Sequence, residues 1–163
     1  GLPNRLLIEE RLRGELARAE RYKTAVSVML LDLDNFRTIN RTCGHAAGDR
    51  MLKVIAGMIR SSIREADFIG RYGGEEFVVI FPETQARDAM HIAEKLRVAI
   101  AGSNFRYGER QISITASSGL TQCRAGDSVD VLLERADGVL YEAKAAGRDR
   151  CVSDADMDAA QPK

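Results

Sequence analysis

The chain has 163 residues, with 24 Lys or Arg and 24 Asp or Glu, so its formal net charge at pH 7 is zero. This length suits one domain with a substantial core. The balanced charge gives no support to a protein that binds nucleic-acid polymers, because such proteins usually have a basic excess. The three cysteines are odd in number and widely spaced, which indicates reduced thiols and a cytoplasmic location. No apolar stretch approaches the roughly 20 residues of a membrane span, so no membrane contact is expected.

The first half of the chain alternates helical and strand patterns. Asn4 is predicted to cap an N-terminal helix, and residues 26–31 form an apolar run that predicts a buried strand. A short helix is expected over residues 36–41, followed by a glycine-bounded turn over residues 43–49. A longer helix is then indicated by apolar residues at helical spacing, namely Met51, Leu52, Ile55, Met58, Ile59 and Ile63.

The second half continues the alternation. We expect a hairpin, a helix that opens at Pro82, two strands, a further helix and a last short strand near Cys151. The predicted ranges are residues 68–72 and 77–81 for the hairpin, 104–107 and 112–120 for the strands, and 129–146 for the helix. Residues 1–152 are thus expected to form one domain, and residues 153–163, which are acidic and rich in small side chains, to fray.

The hairpin is the most informative segment. Gly73 and Gly74 favour a tight turn because both positions can adopt positive φ, and Glu75 and Glu76 follow them directly. Adjacent carboxylates at the edge of a core repel each other unless a cation or a hydrogen-bond donor is near. A solvated acidic hairpin and a metal site are both open interpretations of this motif alone.

A second acidic motif ends the first predicted strand. Asp32 and Asp34 follow the apolar run, and carboxylates at the end of a buried strand, facing an acidic hairpin, can form a site of oxygen ligands suited to Mg²⁺. Asp34 could equally cap the helix that follows.

With these motifs in order, the chain resembles a GGDEF domain of the diguanylate cyclase family, and residues 73–77 read as the GGEEF form of its signature. The resemblance covers almost the whole chain and implies an α/β fold of the nucleotidyl-cyclase and polymerase-palm type, with a mixed, mainly antiparallel sheet flanked by helices. The chain begins without Met inside a family motif, so we expect a catalytic fragment whose upstream sensory or regulatory domain is missing.

The resemblance implies condensation of two GTP into cyclic di-GMP and two pyrophosphates. Asp32, the Leu33 carbonyl and Glu75 would then bind Mg²⁺, with Mn²⁺ as an alternative. Glu76 would complete a second metal site or help deprotonate the ribose 3′-hydroxyl, and the catalytic residues would be Asp32, Glu75 and Glu76. Such nucleotidyl transfer depends on positioning and on charge neutralisation by metal ions.

The resemblance also implies the residues that bind substrate. Asn40 and Asp49 stand at the positions that read guanine, although each could also be a helix cap. Lys144 and Arg148 would bind the triphosphate, although cations are also favourable at a helix C-terminus. Arg37, where the family often has Lys, would contact phosphate too.

Further family features concern the surroundings of the site. Arg41 replaces the Asp usual after the base-reading Asn. His45 is interpreted as a structural residue. Arg71 could support the hairpin acids or bind a partner chain.

The resemblance also implies how activity is controlled. Arg64 and Asp67 resemble the family's RxxD site, at which cyclic di-GMP inhibits, and a helix-end ion pair is the alternative. Because one site holds one GTP, an active homodimer is implied. A catalytically silent receptor for cyclic di-GMP or GTP, and a cyclase that uses ATP or mixed purines, are the competing hypotheses.

Overall fold

The computed structural model describes residues 1–160 and contains a five-stranded sheet between two layers of helices. The strands are β1 (Val26–Leu33), β2 (Phe68–Arg71), β3 (Glu76–Pro82), β4 (Phe105–Tyr107), β5 (Arg110–Ile112), β6 (Ala116–Gln122) and β7 (Cys151–Ser153). The helices are α1 (Arg5–Tyr22), α2 (Phe36–Cys43), α3 (His45–Ser62), α4 (Ala86–Ala101), α5 (Val129–Ala145) and α6 (Asp154–Ala160). No helix within residues 1–160 is both long and apolar enough to cross a membrane.

The strand order of the main sheet is β2-β3-β1-β6-β7, and β4 and β5 form a separate hairpin. All pairings in the main sheet are antiparallel except that of β6 with β7. The expected α/β fold with a mixed, mainly antiparallel sheet flanked by helices is confirmed. Strand β1 is central and buried along its whole length, as its apolar run predicts.

Alternate residues of β1 and β3 serve the two faces of the sheet, as the period of two of a strand requires. Met29, Leu31 and Val79 pack with α2, α3 and α4 in one core cluster. Val28 and Leu30 pack with α1 and α5 in the other. The covered sheet holds the ends of β1 and β3 in a fixed relation.

Several predicted boundaries differ from the structure. The turn predicted over residues 43–49 is confined to Gly44, whose φ of 91° is the left-handed conformation that glycine favours. The helix predicted from Pro82 begins at Ala86, because Thr84 N–H bonds the Ala25 carbonyl and holds the preceding segment as a turn. The strand predicted over residues 112–120 is interrupted between Ile112 and Ala116.

Residues 153–160, which belong to the segment expected to fray, have regular secondary structure. Ser153 is buried at the end of β7, and Asp154–Ala160 is helical. Asp154 Oδ2 accepts hydrogen bonds from Thr121 Oγ1 at 2.8 Å and from Arg124 Nη2 at 2.9 Å. These contacts are between residues far apart in sequence, which local composition does not reveal. Residues 161–163 of the predicted tail lie outside the described residues.

The N-terminal segment is held against the sheet. Asn4 caps α1 by accepting a hydrogen bond from Leu7 N–H, as predicted. The Pro3 carbonyl accepts from Arg71 N–H at 2.9 Å. Ile8 lies so close to β2 that a Cβ at Gly70 would be 2.3 Å from its side chain.

Candidate active site

The predicted acids meet at one end of the two central strands. Asp32 in β1 is the register partner of Glu76 in β3, and Leu33 N–H donates to the Glu75 carbonyl at 3.3 Å. Asp32 is only 4% exposed. Antiparallel pairing therefore brings carboxylates 44 positions apart in the chain to the same edge of the core.

Cations lie beside these acids. Lys144, in the last turn of α5, hydrogen bonds through Nζ to Asp32 Oδ2. A pocket of about 420 Å³ contains both groups. It is lined by Asp32, Leu33, Asp34, Asn35, Phe36, Arg37, Thr38, Glu75, Glu76, Lys144 and Arg148. The pocket is thus formed by the ends of β1 and β3, the start of α2 and the end of α5, and it contains both carboxylates and cations.

Burial sets the electrostatics of the acids. Desolvation raises the pKa of Asp32, opposed by the hydrogen bond and charge of Lys144 and reinforced by Asp34. Desolvation also raises the pKa of Glu76, and the Asp32 charge raises it further. The carboxyl groups are therefore costly to ionise together unless additional positive charge is present.

The residues present fit a hard cation. Asp32 Oδ1 is buried and has no hydrogen-bond partner, and an oxygen of this kind is a suitable ligand for Mg²⁺. Within residues 1–160 no three acidic, His or Cys side chains already converge as a metal cluster. One oxygen of the Asp32 carboxylate, Oδ2, accepts a hydrogen bond from the Lys144 ammonium, and the other, Oδ1, is left for a cation. The carboxylates of Glu75 and Glu76 are the further oxygen donors at the pocket wall.

The glycines of the hairpin do not act as the sequence predicts. Positive φ angles occur at four described glycines, and Gly73 and Gly74 are not among them. Gly73 instead provides space, because a Cβ there would lie 3.1 Å from Glu76 Oε2. Arg71 fixes the turn by donating to the carbonyls of Gly73 and Gly74, the shortest bond being 2.6 Å to Gly74. Arg71 thus supports the acids through the backbone.

Asp34 is not a helix cap, contrary to one of the two interpretations of it. Asn35 occupies the N-cap position of α2 and makes no side-chain capping bond. Asp34 accepts hydrogen bonds from Thr115 Oγ1 and Ser117 Oγ, both at 2.7 Å, and from Asp149 N–H at 3.0 Å. Sequence reasoning missed Thr115 and Ser117, for which the only signal is the hydroxyl-rich run before and within β6.

The residues expected to read guanine, Asn40 and Asp49, are not part of the lining of the acidic pocket. Asn40 follows Arg37 by one turn on α2, and Asp49 lies inside α3, so its alternative interpretation as an N-cap is wrong. Gly48 is buried, and a Cβ there would be 1.9 Å from Asn40 Oδ1. Helices α2 and α3 therefore approach closely where Asn40 and Asp49 stand, and His45 is an exposed residue at the start of α3.

Arg64 and Asp67 of the RxxD motif lie outside the lining of the acidic pocket. Arg64 donates to both carboxylate oxygens of Asp67, with Nη2–Oδ1 at 2.8 Å, and also to the Pro82 carbonyl and Thr84 Oγ1. The Asp67 side chain is fully buried, whereas that of Arg64 is 53% exposed. The ion pair expected as the alternative interpretation is therefore present, and it borders a pocket of about 340 Å³.

Paired strand-end acids opposite several cations are typical of a site that handles phosphate groups with a metal ion. Residues 1–150 match the family described as "Diguanylate cyclase, GGDEF domain". The chain belongs to this family, as its motifs indicate.

Individual relatives agree with this assignment. Diguanylate cyclase DgcP of Pseudomonas aeruginosa is 47% identical over 150 residues, which is 92% of this chain and 22% of DgcP. The chain therefore spans less than a quarter of that relative. The GGDEF domain of DgcB from Caulobacter crescentus, solved in complex with c-di-GMP, has a TM-score of 0.90 at 34% identity, covering 93% of this chain and 91% of that one. The active GGEEF domain of a Vibrio cholerae diguanylate cyclase has a TM-score of 0.89 at 35% identity. The match covers 94% of this chain and 97% of that one.

Proposed function

We propose that this domain is a diguanylate cyclase that converts two GTP into cyclic di-GMP and two pyrophosphates. The observation that carries the proposal is the unpartnered, buried Asp32 Oδ1 next to Glu76 and Lys144 in one pocket. In each half-reaction a ribose 3′-hydroxyl loses its proton and attacks an α-phosphate, and pyrophosphate leaves. A divalent cation, Mg²⁺ or Mn²⁺, would neutralise phosphate charge and favour the deprotonated hydroxyl.

The residues of the pocket divide into acids and cations. Asp32, the Leu33 carbonyl, Glu75 and Glu76 would hold the cation. Glu76 could in addition accept the 3′-hydroxyl proton, because a carboxyl group with a raised pKa is a better base near neutral pH.

Cations and amides would bind the nucleotide. Lys144, Arg148 and Arg37 border the pocket and would contact the triphosphate, and an Arg fork can grip phosphate oxygens in pairs. Asn40 and Asp49 would read guanine, since an amide and a carboxylate together match its donor and acceptor edge.

The product requires a second copy of the domain. One pocket holds one GTP, whereas cyclic di-GMP is two-fold symmetric, so two domains must face each other during turnover. We propose a homodimer whose geometry is controlled by an upstream sensory or regulatory domain, and a cytoplasmic location in agreement with the three free cysteines.

The RxxD site would carry feedback. We expect cyclic di-GMP to bind at Arg64 and Asp67. The exposed Arg64 fork would contact phosphate or guanine, and the Asp67 carboxylate, which is buried against Arg64 in the structure, would exchange that ion pair for guanine N–H groups. Arg64→Ala should abolish product inhibition while retaining the initial rate. Initial rates with added cyclic di-GMP measure this, and unchanged inhibition in a folded variant contradicts the feedback proposal.

The proposed activity is tested by incubating the protein, freed of bound nucleotide, with GTP and Mg²⁺ and resolving products by chromatography and mass spectrometry. Glu75→Ala should give no cyclic di-GMP, whereas Glu109→Ala, which removes an exposed acid away from the pocket, should retain activity. ATP as sole substrate should give no cyclic product. Absence of cyclic di-GMP at high protein concentration would favour the receptor hypothesis.

A further inference from the structure

The turn that follows α5 has an unusual backbone. Gly147, Arg148 and Asp149 have φ angles of 124°, 64° and 46°. Positive φ costs a residue with a side chain on the order of 1 kcal/mol, and persists only where the surroundings enforce it. Two such residues in succession, one of them Arg148 of the proposed phosphate-binding set, need specific support.

Support from the sheet comes through Asp34. Asp149 N–H donates to Asp34 Oδ2 at 3.0 Å, and Asp34 is itself only 4% exposed and held by the hydroxyls of Thr115 and Ser117. This contact ties one N–H of the turn to the sheet and leaves the Asp149 side chain to bind a second partner.

Support from the opposite side comes from Arg97 in α4. Its Nη1 donates to Asp149 Oδ1 at 2.9 Å and, more weakly, to the Asp149 carbonyl at 3.5 Å. Its Nε is oriented by Glu94 at 2.8 Å, and the Arg97 side chain is 23% exposed. Arg97 does not line the acidic pocket, so any effect it has there must pass through Asp149.

We infer that Arg97 is a positioning residue for GTP. It holds Asp149 and thereby keeps Arg148 in the left-handed conformation that directs the guanidinium to the triphosphate. The inference rests on the proposed function, because it assumes that Arg148 binds phosphate. It assigns to an arginine of α4, 51 residues before Arg148 in the chain, a role that no sequence motif marks.

The test is a double-mutant cycle on nucleotide binding, measured by calorimetry with a non-hydrolysable GTP analogue in the absence of divalent metal. Arg148→Ala should weaken binding roughly 10- to 100-fold, as loss of a charge-assisted contact predicts. Arg97→Gln should weaken it about three- to tenfold, because Arg148 remains but its turn is then held only from the sheet, through Asp34. In the Arg148→Ala background, Arg97→Gln should have no further effect.

The controls separate the possible failures. Arg87→Gln removes an exposed arginine of the same helix and should leave affinity unchanged. Circular dichroism and melting temperature establish that each variant is folded. If Arg148→Ala binds the analogue normally, the phosphate role of Arg148 in the proposed function is wrong. If Arg148→Ala weakens binding but a folded Arg97→Gln does not, or if the two losses are additive, the positioning role of Arg97 is wrong.

Discussion

Even a methyl group at residue 48 would collide with Asn40, because an ideal Cβ there lies 1.9 Å from Asn40 Oδ1. We therefore predict that Gly48→Ala displaces the Asn40 side chain and weakens GTP binding roughly tenfold, the loss expected for one hydrogen bond to the base. Calorimetric titration with the GTP analogue measures the effect.

Gly57→Ala is the matched control, because Gly57 lies in the same helix with nothing within 4 Å of a Cβ. It should stabilise the protein by about 0.5–1 kcal/mol, the helix preference of Ala over Gly, without changing affinity. Equal GTP affinity in both variants would contradict the role of Asn40 in binding.

The raised pKa of Glu76 makes a prediction about stability and pH. The folded state holds the Glu76 proton more tightly than the unfolded state, because burial and Asp32 disfavour the charge. The parent should thus lose stability as pH rises from the ordinary carboxyl pKa through the raised one, whereas Glu76→Gln lacks this loss.

Melting temperatures measured in EDTA should show Glu76→Gln more stable than the parent at pH 7.5, with a smaller difference at pH 4. Glu109→Gln changes an exposed glutamate between β4 and β5. It should have the same melting temperature as the parent at both pH values. If the difference in melting temperature between Glu76→Gln and the parent is the same at both pH values, burial does not disfavour the negative charge of Glu76.

At the scale of elements, α6 extends the domain past its expected end. Asp154 joins this helix to Thr121 in β6 and to Arg124, and Arg135 of α5 approaches it at 3.4 Å. We predict that Asp154→Ala lowers the free energy of unfolding by about 1–2 kcal/mol, because it removes charge-assisted hydrogen bonds to a carboxylate whose side chain is only 13% exposed.

Urea unfolding measures this loss. Asp156→Ala, on the same helix but exposed, should change stability little. An unaffected Asp154→Ala variant would indicate that the tail frays in solution after all.

At the scale of the whole molecule, the proposed homodimer makes catalysis depend on concentration. Well below the dissociation constant of the dimer, doubling the protein should increase the rate of cyclic di-GMP formation about fourfold, because the active species forms from two copies. Initial rates over a dilution series, with mass measured in parallel, test this. A constant rate per domain in samples that contain only monomers would contradict the dimer.

Much of the fold was predictable because its signals are local. An apolar run indicated β1, and apolar residues at helical spacing indicated α3 and α4. Residues 73–77 and Asp32 placed the acids at strand ends, which antiparallel pairing then brings together. The structure differs from expectation where contacts outside the local pattern decide. Residues 154–160, in the segment expected to fray, are helical, and Asp154 is bonded to Thr121 of β6. In the hairpin, Gly73 provides room for Glu76 rather than a positive φ.

The sequence by itself determined the family, the order of the main elements and the chemical types of the site residues, since these depend on motifs of neighbouring residues. Only the tertiary structure decided which groups share partners. Asp34 meets Ser117 across 83 positions, and Arg97 meets Asp149 across 52. Such contacts arise from the pairing of strands and from the packing of helices on the sheet, so their partners carry no common spacing that a single sequence could reveal.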